Sequence, residues 1–213
     1  MMRLIINPGR KARRTVRAIL ADVEGMAAVE LAIILPIALM LMALITYGGQ
    51  AYSVQRKVTL GAMTVANIFA QGNNTGDPTI TTAELNQILA YPGLILFPND
   101  PTGVAVEVYE LLLASNPTTG AVTGTVVGSW ANANGAASAL PIGQQMSVDP
   151  DIAAAFTGQA TSYVVLGEVQ YPFQPPGIYI PVSTITLHDS IMMIPRTAAC
   201  INVQSTVPPP CPP

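Results

Sequence analysis

The sequence predicts an α+β protein, in which a long N-terminal helix, transmembrane in its first part, precedes a small, mainly antiparallel sheet of about four strands. Residues 26–47 are almost entirely apolar, and helical spacing of apolar residues continues to residue 71. Over residues 104–109 the period changes, since Val104, Val106 and Val108 alternate with the intervening residues, which is typical of a strand. A long helix followed by several strands indicates an α+β architecture.

The charges are distributed very unevenly along the chain. The first 17 residues carry six cations and no acid, whereas the rest of the chain has only Arg56, Lys57 and Arg196. Because cationic flanks stay in the cytoplasm, residues 1–25 are predicted to be a cytoplasmic leader, and everything after the apolar run is predicted to be exported. From Met26 onward three cations face ten acids, a formal charge of −7, which argues against a nucleic-acid partner.

Residues 26–47 are predicted to form the transmembrane helix. At about 1.5 Å per residue this helix is about 33 Å long, enough to cross the hydrocarbon of a bilayer. Pro36 lies inside it and is expected to kink it or loosen its hydrogen bonds. The helix should continue outside the membrane over residues 48–71, where apolar residues recur at helical spacing: Val54, Val58, Ala62, Val65 and Phe69.

Glu30 is the one charged residue of the span, and a mid-bilayer carboxylate costs about 3 kcal/mol. A cut after Gly25 would give Met26 a new ammonium group and make Glu30 the fifth residue of the mature chain. Glu30 of one subunit could then neutralise the Met26 amine of its neighbour and favour the correct axial register. The alternative to a role in assembly is that the Glu30 carboxylate lies near the cytoplasmic headgroups, where the positive N-terminus of the helix stabilises it.

A secretory signal peptide is a second alternative for this region. Gly49-Gln50-Ala51 satisfies the small-x-small rule for signal peptidase. The apolar run is longer than the about 7 to 15 residues of a signal h-region, which favours a permanent span.

The exported α+β domain is predicted over residues 72–196. Thr81 and Glu84 form a capping box for a helix over 82–90, which Pro92 and Gly93 should end. Asp149 is expected to cap a brief helix through Phe156. Strands are predicted over 104–109 with one covered face, 122–130, 162–173 and 182–194, and the stretch 131–146 is expected to be an irregular surface loop.

Two cysteines, Cys200 and Cys211, lie in a proline-rich tail over residues 197–213. In an oxidising compartment they are expected to form a disulfide, which stabilises the tail by about 2 to 3 kcal/mol in the chain-entropy model. No metal or cofactor is predicted, because His188 is the only histidine and no other residues have ligand spacing.

Catalytic patterns are weak. His188 and Asp189 are adjacent on a predicted strand and should face opposite sides of the sheet. Asp149 and Asp151 are better explained by helix capping than by a carboxylate pair. With no glycine-rich phosphate loop or GxSxG motif, neither an enzyme nor a small-molecule substrate is predicted.

Residues 25–71, which begin GMAAVELAIILP, resemble the N-terminal segment of TadE-like (TadE/TadG) proteins of the tight-adherence pilus, a type IV pilus system. Residues 162–196 also resemble this family, through strand endings at Tyr171-Pro172-Phe173 and Met192–Arg196. The chain between residues 71 and 162 shows no similarity.

The resemblance implies a type IV pilin-like fold and a pseudopilin or minor pilin, cut after Gly25 by a prepilin peptidase and assembled with other pilin subunits. The size of the exported domain suits a tip or priming subunit. Two alternatives remain: a permanently anchored periplasmic binding or accessory module, and an exported accessory domain of an enzyme.

Overall fold

The computed structural model describes residues 23–72, 79–116, 118–119, 121–132, 134, 137–148, 150–156, 161–175, 183–204 and 211. The leader up to residue 22, the expected cap Asp149 and the start of the fourth predicted strand lie outside these residues. The chain divides into two compact units, one through Gly49 and one from Gln50 onward.

Helix α1 (Val23–Ala70) runs without interruption through Pro36 and contributes to both units. The predicted span and its predicted continuation are therefore one helix, whereas the bend at Pro36 stays a prediction. The helix ends where Gly72 adopts a left-handed conformation, with φ of 67°, and donates its N–H to the Phe69 carbonyl at 3.0 Å. Glycine is the residue that reaches this conformation at least cost.

In the unit from Gln50 onward, helix α2 (Thr82–Ile95) begins at the predicted capping box. The Thr81 side chain accepts from the Glu84 N–H at 3.2 Å, and the Glu84 carboxylate accepts from the Thr81 N–H at 2.8 Å. The predicted end at Pro92 is wrong, because the helix continues five residues past Ala90. Pro92 is buried against Gly61 of α1, and this packing offsets the hydrogen bond that proline lacks.

The described strands form two sheets. The larger has five antiparallel strands, and the smaller is a parallel pair. In chain order the strands are β1 (Thr79–Ile80), β2 (Ala105–Ser115), β3 (Val122–Ala131), β4 (Gln145–Met146), β5 (Thr161–Phe173), β6 (Ile185–Met193) and β7 (Asn202–Val203). The large sheet has the order β4-β3-β2-β5-β6, and β1 pairs with β7. This confirms the α+β class with a long N-terminal helix, although the estimate of about four strands missed β4 and the small sheet.

The second half of α1 packs on one face of the large sheet. A Cβ atom on Gly167 of β5 would lie 2.9 Å from the Ala66 Cβ and 3.0 Å from the Ala62 carbonyl oxygen of α1. The helix therefore approaches β5 as closely as its backbone allows. Farther along α1, the Phe69 ring lies 5.1 Å from the Trp130 ring of β3.

Apolar side chains cover both faces of the sheet. One cluster lies between the sheet, α1 and α2, and a second covers the opposite face, where helix α3 (Pro150–Phe156) contributes Phe156. The predicted single covered face of β2 is therefore wrong: Val106 and Val108 lie in the first cluster, and Tyr109 and Leu111 in the second. In the segment expected to be a loop, residues 145–146 form β4 beside β3.

Candidate assembly segment and buried carboxyl site

The residues of the predicted processing and assembly site all lie in α1. Gly25, Met26 and Glu30 belong to its first two turns. Met26 and Glu30 are four residues apart, so they lie on the same side of the helix, one turn from each other. Glu30 is exposed, and it forms no ion pair within the part of the chain that the structure describes.

The surface of α1 around Glu30 is apolar and open. Its large side chains are between 50% and 74% exposed from Met26 to Ile45. Within the described residues, α1 is the one helix long and apolar enough to cross a membrane, with an 18-residue window of mean hydropathy 2.6. A surface of this kind is unfavourable in water, so lipid or other apolar helices are needed to cover it.

The end of α1 contacts the segment after β6. The Arg196 N–H donates to the Ala70 carbonyl at 2.8 Å, and the Thr197 hydroxyl donates to the Gln71 carbonyl at 3.1 Å. Helix C-termini leave carbonyls unpaired, and these two bonds satisfy two of them. The Met192–Arg196 segment therefore ends at the C-terminus of the helix that resembles TadE-like proteins, so the two regions of the resemblance meet there.

His188 and Asp189 do not form a catalytic pair. His188 Nε2 lies 2.9 Å from a carboxylate oxygen of Glu168, whereas Asp189 accepts a hydrogen bond from the Thr59 hydroxyl of α1 on the other face of β6. The expectation that these neighbours face opposite sides is confirmed. The bond from Thr59 also explains why a carboxylate interrupts the apolar face of β6.

Glu107 and Tyr109 of β2 form a buried polar contact beneath the second cluster. The Tyr109 hydroxyl donates to Glu107, whose other carboxylate oxygen accepts from the Ser138 N–H at 2.7 Å. Burial and the neighbouring carboxylates of Glu107 and Glu168 hold the pKa of Tyr109 far above its usual range. Tyr109 therefore remains a hydrogen-bond donor, and its bond to Glu107 provides a partner for both buried groups.

Glu110, also on β2, is completely buried beside the C-terminal tail. Cys200 and Cys211 form a disulfide there, and one Glu110 oxygen accepts from the Ile201 N–H at 2.7 Å. The other oxygen has no hydrogen-bond partner among the described residues. Burial raises the pKa of Glu110 to about 7, although the bond from Ile201 opposes the shift.

Sequence reasoning missed Glu110 for a physical reason. Along β2 it follows Val104, Val106 and Val108 at period two and interrupts their apolar face, but the tail that covers it follows 91 residues later. No local pattern brings two such segments together.

Residues 25–67 match the sequence model of the TadE-like protein family. This segment is TadE-like. No curated protein and no solved structure matches the chain. The TadE-like match begins at Gly25, the residue of the predicted cut, and ends three residues before the end of α1. It does not reach β5 or β6, so the resemblance of the strand endings stays a prediction.

The TadE-like match confirms the resemblance over the N-terminal segment and suggests involvement in the tight-adherence pilus. Proteins of this family are structural pilus components that contact other pilus subunits, and this chain is similar to them over residues 25–67. Together with the long apolar α1, the match fits a single-pass membrane protein.

Proposed function

We propose that this protein is a minor pilin or pseudopilin of the tight-adherence pilus, inserted in the inner membrane with its C-terminal domain in the periplasm. A prepilin peptidase cuts it after Gly25, and Glu30 of the mature subunit pairs with the Met26 amine of a neighbouring subunit during assembly. It acts at the tip or in priming rather than along the shaft.

The observation that carries this proposal is Glu30 itself. It is an exposed carboxylate on an apolar helical surface, within a TadE-like segment that begins at Gly25. A charge in that setting is costly unless a partner neutralises it. A new ammonium group on Met26 of a neighbouring subunit is a positively charged partner, and it lies near the same end of the helix as Glu30.

The apolar surface of α1 supports the same proposal. Lipid covers this surface before assembly, and the equivalent helices of other subunits cover it afterwards, so the helix can move from one environment to the other. The paired charges then discriminate between helix registers, because a shifted register leaves Glu30 unpaired in apolar surroundings.

The mature N-terminus is the decisive measurement. N-terminal sequencing of the protein purified from piliated cells should begin at Met26. In Gly25→Ala the larger, uncut form should accumulate and fibres should be lost. Gly48→Ala is the matched control, because it makes the same change in the same helix at a position with open space around it. Normal size and normal fibres in Gly25→Ala would favour a permanently anchored accessory module.

The position of the subunit in the fibre is tested separately. The unit from Gln50 onward is a folded domain with two apolar clusters, large for a subunit that repeats along a slender filament. Immunogold labelling with antibodies against this domain should therefore mark fibre ends or bases. Even labelling along the whole length would contradict the tip assignment and leave the pilin assignment intact.

A further inference from the structure

Three potential metal ligands that are far apart in the sequence meet at one buried place. Glu110 comes from the centre of β2, and Cys200 and Cys211 come from the tail. One Glu110 oxygen and the two sulfur atoms all lie within 4.8 Å of one another, and all three residues are buried.

The polar groups of this place are not fully satisfied while the disulfide is present. One Glu110 oxygen is buried without a hydrogen-bond partner among the described residues. A disulfide sulfur carries no hydrogen and cannot supply a donor. An unpartnered buried carboxylate oxygen beside two sulfur atoms is an unusual arrangement for a site whose only role is structural.

The geometry points to a redox-gated metal site: we propose that the dithiol form binds a thiophilic divalent cation such as Zn²⁺ through Cys200, Cys211 and Glu110. Thiolate and carboxylate oxygen are both ligands that zinc accepts, at about 2.3 Å and about 2.0 to 2.2 Å. Two ligand atoms that share one ion are thus at most about 4.6 Å apart. The two sulfur atoms are bonded to each other in the disulfide and separate when it opens, whereas the Glu110 oxygen already lies within 4.8 Å of each of them.

The chemistry balances with an external dithiol reductant. The reductant gives two electrons and two protons to the disulfide, which opens to two thiols while the reductant is oxidised to its own disulfide. Zinc then displaces one proton from each thiol, and the proton of Glu110 where that carboxyl group carries one, and binds the two thiolates and the carboxylate; the released protons go to solvent. Water supplies the fourth ligand, as it does in three-ligand zinc sites.

Hydrogen bonds outside the disulfide hold the ligands near one another. The Cys211 N–H donates to Asn202 Oδ1 at 3.0 Å, which ties Cys211 to β7. Cys200 precedes Ile201, whose N–H is bonded to Glu110. Opening the disulfide leaves both bonds in place, so the thiols stay beside the carboxylate. This inference does not depend on pilus assembly.

The test uses the full-length protein in detergent, with Zn²⁺ and Co²⁺ as probes. After reduction and removal of the reductant, the protein should retain one metal ion per chain, and Co²⁺ should give a thiolate-to-metal charge-transfer band. The disulfide form should retain none. Zinc X-ray absorption of the reduced protein should show two sulfur ligands and at least one oxygen ligand, which checks the site without any substitution.

Glu110→Gln removes the carboxylate and keeps the size of the side chain. It should weaken metal binding at least about tenfold, because mutation of a residue that only hydrogen-bonds a metal ligand already lowers metal affinity about 10- to 100-fold. Glu84→Gln is the control, because glutamine also serves in a capping box. The inference is wrong if the reduced wild-type protein retains no metal. It is also wrong if absorption shows sulfur ligands alone, or if Glu110→Gln binds as tightly as wild type.

Discussion

Two carboxylates of this chain lie in surroundings that ordinarily exclude charge. Glu30 sits on the apolar surface of α1, and Glu110 is completely buried between β2 and the tail. The first could be recognised from the sequence, because a single acid in a long apolar run stands out. The second could not, since its burial depends on a segment 91 residues away.

We expect a substitution at Glu30 to impair fibre assembly without preventing the cut after Gly25. Glu30→Gln keeps the size of the side chain but removes the charge that pairs with the Met26 amine. The variant should therefore still be cut after Gly25, with fibre assembly reduced at least tenfold, as measured by sheared-fibre immunoblots. Thr46→Val is the control, since the Thr46 hydroxyl bonds only within its own helix, to the Met42 carbonyl at 2.8 Å. Equal fibre yield in Glu30→Gln and wild type would contradict the pairing.

For Glu110 in the disulfide form we expect a pH effect on stability. Its pKa is raised from 4.5 to about 7 in the folded state, so the folded protein binds the proton more tightly than the unfolded chain. The free energy of unfolding that this proton contributes is fully present below about pH 4.5 and is lost as the pH rises through 7. The loss is at most about 3 kcal/mol, because one pKa unit corresponds to about 1.4 kcal/mol.

Urea unfolding of the disulfide form at pH 5 and pH 8 measures this effect. Glu110→Gln should remove most of the difference in unfolding free energy between the two pH values, whereas Glu84→Gln should preserve it. An unchanged difference in Glu110→Gln would show that another group causes the pH effect.

At the scale of elements, local patterns predicted which segments form helices and strands. The capping box at Thr81, the helical spacing through Phe69 and the alternation over residues 104–109 are all properties of short stretches. The errors came from long-range packing. Helix α2 continues past Pro92 because Gly61 of α1 leaves space for the proline ring, and β2 is covered twice because α3 and its neighbours cover the second face.

The contact between α1 and β5 gives a prediction at this scale. A methyl group at Gly167 would lie 2.9 Å from the Ala66 Cβ, and neither backbone can move easily. Gly167→Ala should therefore destabilise the domain by about 1 to 3 kcal/mol, the usual cost of overpacking. Denaturant unfolding monitored by Trp130 fluorescence measures this. Gly48→Ala, in open space on α1, should cause no loss. Equal stability of the two variants would mean that helix and sheet are less tightly packed than the structure indicates.

At the scale of the whole molecule, α1 has two environments along one continuous helix. Its first half presents an apolar surface that nothing in the described chain covers, whereas its second half is part of the core of the domain. The family match spans both halves, from residue 25 to residue 67.

This division predicts which part of the chain folds alone. A fragment that starts at Gln50 keeps both clusters and should fold cooperatively without detergent. A fragment that starts at Gly72 loses the buried α1 residues Val54, Val58, Ala62, Val65, Ala66, Phe69 and Ala70. At about 1.5 to 3 kcal/mol for each large apolar side chain, this loss equals much of the 5 to 15 kcal/mol that typically stabilises a domain. The shorter fragment should therefore show no cooperative melt by circular dichroism. If both fragments melt alike, the second half of α1 is an accessory to the domain rather than part of its core.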